Sequence, residues 1–191
     1  MTNTRTLLCA AILAATSAAA SAGDTFTNPV IRRSAPDPTV IRADDGHFYL
    51  YSTEDTPNTP IYRSDNLVDW TLIGTAFSDT SRPSWNPKGG IWAPDINKIG
   101  DKYVLYYSKS EWMGLKDAGV GVATADRPEG PFTDHGCIVS YHNTGVWCSI
   151  DPFFIEDEGR KYLIWGSYWD TFGIELTADG LSVKPGTRKV H

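Results

Sequence analysis

Three aspartates recur in the same local setting. Asp37 lies in Ala35-Pro-Asp-Pro-Thr-Val-Ile41, Asp95 in Ala93-Pro-Asp-Ile-Asn-Lys-Ile99 and Asp151 in Ser149-Ile-Asp-Pro-Phe-Phe-Ile155, 58 and then 56 residues apart. An ionised carboxylate can take a proton from water, and a second one nearby can keep a neighbouring acid protonated. Aspartates gathered around one pocket are therefore general acid–base material. Each could instead cap a turn ahead of a strand, as Asp does readily. Capping alone gives no reason for three copies in one register, although structural repetition does, and Asp95 could be architectural only.

The elements that would gather them repeat as well. After each aspartate comes an apolar run, then a Gly turn (Gly46, Gly100, Gly159), then an aromatic-rich run ending in Ser52, Ser108 or Ser167. Further strands are predicted at Pro60 to Ser64 and Trp70 to Thr75, at Gly119 to Thr124 and Cys137 to Tyr141, and at Phe172 to Leu176 and Leu181 to Val190. Ser64-Asp-Asn66, Arg127-Pro-Glu-Gly-Pro131 and Ala178-Asp-Gly180 carry turn chemistry between them. No segment keeps a helical period. Four short strands per repeat predict an all-β chain made of β-propeller blades, three of them, with the first strand of each blade lining the axis.

Composition agrees with one globular domain: 191 residues, 41% hydrophobic, with seven Trp and nine Tyr. Aromatic faces stack on sugar rings but also fill β cores. Net charge is −6, and without a Lys/Arg cluster nucleic acid is not an expected partner. Residues 1–22 read as a secretory signal peptide: Arg5, an apolar stretch from Leu7 to Ala15, and the small residues Ala20-Ser21-Ala22. That stretch is too short to span a membrane. The folded domain is expected over 23–191, in a periplasmic or extracellular setting. Export leaves Cys137 and Cys148, either bridged or free. His47, His135, His142 and His191 have no ligand-like spacing, so no metal is expected.

The three aspartate segments, together with Trp92 before the second, Ser64-Asp-Asn-Leu-Val-Asp-Trp70 and Arg127-Pro-Glu-Gly-Pro-Phe132, resemble glycoside hydrolase family 43. The likeness runs from about Asn28 to the C-terminus. It implies a five-bladed propeller, of which this chain holds three blades, and inverting hydrolysis of arabinose- or xylose-containing plant polysaccharide. It implies that Asp37 is the general base and that Asp151 tunes the pKa of the acid and orients it. Trp92, Trp112 and Ser167 would contact substrate.

The resemblance implies no cofactor, although some members hold a calcium ion on the axis through a His of a late blade. It puts the general acid, a Glu, at the start of a fourth blade, beyond His191. None of Glu54, Glu111, Glu129, Glu156, Glu158 or Glu175 takes that place, so the 191 residues alone are expected to be nearly inactive on natural glycosides. Trp112 after Tyr107-Ser-Lys-Ser-Glu111, Gly166-Ser-Tyr-Trp169 and Gly173-Ile-Glu-Leu176 resemble arabinan-cleaving members, pointing to an arabinan endo-1,5-α-L-arabinosidase. The alternatives are a β-xylosidase or α-L-arabinofuranosidase of the same family, or a non-catalytic sugar-binding protein. An inverting enzyme needs its two carboxyl groups roughly 6.5–9.5 Å apart to admit a water, a span that different blades can set.

Overall fold

The computed structural model describes residues 25–166 and 170–191. The expected signal segment, residues 1–22, and Ser167 lie outside the described residues. The first sheet is a meander of β1 (Thr39–Arg42), β2 (Phe48–Tyr51), β3 (Pro60–Ser64) and β4 (Thr71–Thr75). The second is β5 (Gly90–Ile99), β6 (Lys102–Ser110), β7 (Gly119–Ala125) and β8 (Thr133–Ser140). The third is β9 (Phe153–Asp157), β10 (Arg160–Trp165) and β11 (Phe172–Glu175). All pairings are antiparallel. The inner strands touch in order, β1 against β5 and β5 against β9. These are three blades of a β-propeller.

The alternation along β6 explains how the blades stack. Tyr103, Leu105 and Tyr107 point to one side and join Tyr49, Tyr51, Ile61, Phe77 and Phe132 in a buried cluster between the first two blades. Val104 and Tyr106 point to the other side, into a cluster with Leu163, Trp165 and Ile174 of the third. A strand buried on both faces loses the usual alternation of apolar and polar residues, and β6 is buried from Tyr103 to Ser110. Aromatic contacts seal both seams. Tyr51 meets Phe132 edge-on at 6.0 Å between centroids, and Tyr106 stacks on Phe154 at 5.7 Å.

The structure corrects two sequence expectations and decides a question that the sequence left open. Among the described residues the third blade has three strands rather than four. Pro185 and Gly186 form a turn inside the expected strand from Leu181 to Val190, and only isolated bridges survive, Leu176 to Val183 and Gly173 to Val190. Proline has no N–H for a ladder. Tyr141 does not end β8 but starts a single helical turn, α1 (Tyr141–Thr144). Ser140 and Asn143 close it as a capping box, and Gly145 at φ 70° ends it. Cys137 and Cys148 are both free thiols, so the bridge that the sequence left open is not formed.

Candidate active site

The aspartates reach the site by an uncommon backbone. Asp37 has φ 48° and Asp151 has φ 58°. Both are in the left-handed region, which non-glycine residues rarely occupy and Asp tolerates better than most. Each stands just ahead of its inner strand. Asp95 does not follow them. In the second blade the left-handed residue is Ala93, φ 39°, and the β5–β6 register shifts between Trp92 and Asp95. Asp95 is consequently carried within the strand. One of its oxygens accepts the Phe154 N–H at 2.7 Å and the Asn97 side-chain amide at 2.8 Å, and burial pushes its carboxyl above the ordinary value. Of the two roles that the sequence left to Asp95, the structure supports the architectural one: it ties blade to blade.

Asp37 and Asp151 line a single cavity of about 320 Å³ together with Trp92, Trp112, Thr53 and Glu111. First and third blades thus contribute a carboxylate each, and the second contributes the aromatic wall. The Trp92 indole, half-buried, lies over Gly90, where a Cβ would come within 2.4 Å of its Nε1. Trp112 is 79% exposed, which removes core packing as its role. It sits on the β6–β7 loop, whose turn is closed by Gly114 N–H to Glu111 O at 2.8 Å. Leu115 O then accepts the Cys148 N–H at 2.7 Å, pinning that loop to the start of the third blade.

Two residues to which the sequence assigned no role organise the floor. Thr53 donates its hydroxyl to Asp37 Oδ2 at 2.7 Å and accepts the Ala93 N–H at 2.7 Å. Next to it, Glu54 takes both Arg82 nitrogens, at 2.6 and 2.7 Å, and the N–H groups of Ile91 and Asn58. Burial opposes the Glu54 charge, but these donors outweigh it and hold the carboxyl below its usual range. On the third-blade side, Ser108 Oγ accepts the Asp151 N–H at 2.8 Å. Cys148 also lines the cavity, and burial, reinforced by Asp151, pushes its thiol up. These partners come from distant segments, so no local pattern announces them.

A family profile described as glycosyl hydrolases family 43 matches residues 26–191. The chain belongs to that family. This family 43 chain is 33% identical over 139 residues to the arabinan endo-1,5-alpha-L-arabinosidase A of Aspergillus niger, covering 70% of its own length and 42% of that protein. Its blades superpose on the Cellvibrio cellulosa alpha-L-arabinanase complexed with arabinohexaose with a TM-score of 0.72 at 25% identity, covering 83% of this chain and 53% of that one. An exo-1,5-alpha-L-arabinanase from a bovine ruminal metagenomic library matches with a TM-score of 0.68 at 28% identity, over 86% of this chain and 57% of that one. The chain spans about half the length of the curated relatives it matches.

Among the described residues no group of His, Cys, Asp and Glu is placed to hold a metal ion. His47 pairs with Asp65, His135 with Thr124 and His191 with Asp170, while His142 packs on Tyr141. Among the described residues no helix is long and apolar enough to cross a membrane.

Proposed function

We propose that this chain carries the base side of an inverting hydrolase acting on α-1,5-arabinan, with Asp37 as general base. The observation that carries the reading is the shared cavity. Carboxylates from the first and third blades meet there beside two tryptophans, in a chain related to arabinan-cleaving enzymes. Water enters beside Asp37 and attacks the anomeric carbon. Its proton passes to the Asp37 carboxylate as the bond to the leaving oxygen breaks, and that oxygen takes a proton from the general acid, the Glu that the family resemblance places at the start of a fourth blade. Asp151, across the cavity, keeps the acid protonated by like-charge repulsion and orients it. Trp92 and Trp112 supply faces for the sugar rings, and Ser167 is assigned a contact to them on the family resemblance. Arabinan rather than xylan is favoured by the named relatives. They include endo- and exo-acting enzymes, and the exposed Trp112 at the cavity edge favours a polymer passing across it, hence endo action.

The decisive experiment uses 4-nitrophenyl α-L-arabinofuranoside, whose leaving group needs little help from an acid. Asp37→Asn is expected to lower turnover of this substrate by the 10²–10⁴-fold typical of lost general base catalysis. Turnover equal to that of the unaltered chain would remove Asp37 from the mechanism. Export is supported by the run from Arg5 to Ala22, and N-terminal sequencing of secreted material should find Gly23 first.

A further inference from the structure

We infer that Thr53 is the positioning residue of the general base, and that the strained turn at Ala93 exists to aim it. The inference rests on the reading of Asp37 as the base. Thr53 follows β2 and is fastened at two points to the segment it serves. Its own N–H donates to Pro36 O at 2.9 Å, and its hydroxyl donates to Asp37 Oδ2 at 2.7 Å. A hydroxyl has a single proton and can accept as well as donate. The Ala93 N–H, arriving at 2.7 Å from the second blade, occupies the accepting side. The proton of Thr53 is thereby directed to Oδ2. Thr53 thus engages one carboxylate oxygen, Oδ2, and Oδ1 is assigned to the water.

The Ala93 N–H is where it is because the backbone pays for it: a left-handed φ of 39° at a residue with a Cβ, set within the β5–β6 register shift. Such strain persists only where the surroundings over-determine it. Here they do. Ile91 exchanges hydrogen bonds with Glu54, its N–H to Oε1 at 2.7 Å and its O from the Glu54 N–H at 3.1 Å, and Glu54 is gripped in turn by Arg82. The second blade is therefore locked against Glu54, the residue that follows Thr53. The result is a route from the fold to the base: Arg82 and Glu54 fix Ile91, Ile91 fixes Ala93, Ala93 orients Thr53, and Thr53 holds Asp37.

A staple between blades would have the same contacts, so the test must read chemistry as well as stability. Turnover of 4-nitrophenyl α-L-arabinofuranoside is compared for the unaltered chain, Asp37→Asn, Thr53→Val and Thr53→Ser. Thr53→Val keeps the shape and removes the hydroxyl. It should lower kcat by about 10- to 100-fold, the cost of a slightly misplaced reacting group, with KM within about twofold. Thr53→Ser should recover most of the rate. If Asp37→Asn abolishes turnover while Thr53→Val does not change it, or if Ser fails to rescue, the inference is wrong and the base assignment stands. If Asp37→Asn has no effect, the base assignment itself has failed.

A second measurement needs no turnover. In thermal melts, Thr53→Val and Asp37→Ala should be non-additive, each costing little once the other is present. Additive losses would show that Thr53 holds Ala93 alone, and would overturn the inference.

Discussion

Lys109 is buried in the seam between the first two blades, with its Nζ 2.9 Å from Gly89 O, an oxygen that also accepts from Arg82 at 3.2 Å. Burial pushes its amine down to about 8, helped by Arg82 and opposed by Glu54 and Asp134. An unfolded lysine titrates near 10.4. Between those two values the unfolded chain binds more protons than the folded one, so the Lys109 contribution to stability rises with pH across that window and is least favourable below it. Lys109→Met should therefore gain most over the unaltered chain at pH 7 and lose that advantage by pH 10.5. The swing is on the order of 2–3 kcal/mol, with about 1 kcal/mol of lost hydrogen bond set against it at every pH. Urea titrations of both proteins at the two pH values measure it. Nothing in Tyr107-Ser-Lys-Ser110 announces a buried cation, because the groups around it come from the β4–β5 loop, the β2–β3 loop and β8.

Strand β5 shows how one element turns a repeated sequence into two kinds of site. Its segment shares the aspartate and the closing isoleucine with the other two copies, yet the shift at Ala93 takes Asp95 out of the cavity and leaves Trp92 in it. Gly90 makes room for that indole. Gly90→Ala should drive Trp92 from its place, since the new Cβ would lie 2.4 Å from Nε1. Loss of a stacking face of this kind is worth on the order of 1 kcal/mol, about fivefold in affinity. Calorimetric titration with arabino-oligosaccharides should show it, with the thermal midpoint little changed because Trp92 is half-exposed. Strand positions themselves were largely legible: Pro60–Ser64 and Phe172–Glu175 fall where period and turn residues put them. The one-turn helix α1 was not, because four residues are too few to show a period.

Across the whole molecule the blades are held by aromatic seams and by single polar bonds that cross them. Asp95 is the clearest of these bonds, accepting the Phe154 N–H of the third blade. Asp95→Ala would leave that N–H without its acceptor. It should cost about 1–3 kcal/mol in a denaturant titration while leaving arabinofuranoside turnover within about twofold, since Asp95 does not line the cavity. A comparable loss of turnover would mean that the seam between second and third blades controls where Asp151 sits. The third blade presents its other face outward, with Phe153 and Ile155 exposed beside a groove of about 460 Å³ that Tyr162 and Phe172 help to line.

The sequence by itself determined the repeat, the all-β class, the blade count, the family and the two aspartates that share the cavity. These follow from local facts, namely alternation, turn residues and motif spacing, which the chain writes in order. It left the place of Asp95 open, because the register shift that carries this aspartate out of the cavity depends on the partner strand. Nor could it disclose Thr53, Glu54, Arg82 or Lys109, whose roles are made by residues tens of positions away. Only the packing of loops and strands far apart in the sequence brings those groups within hydrogen-bonding distance.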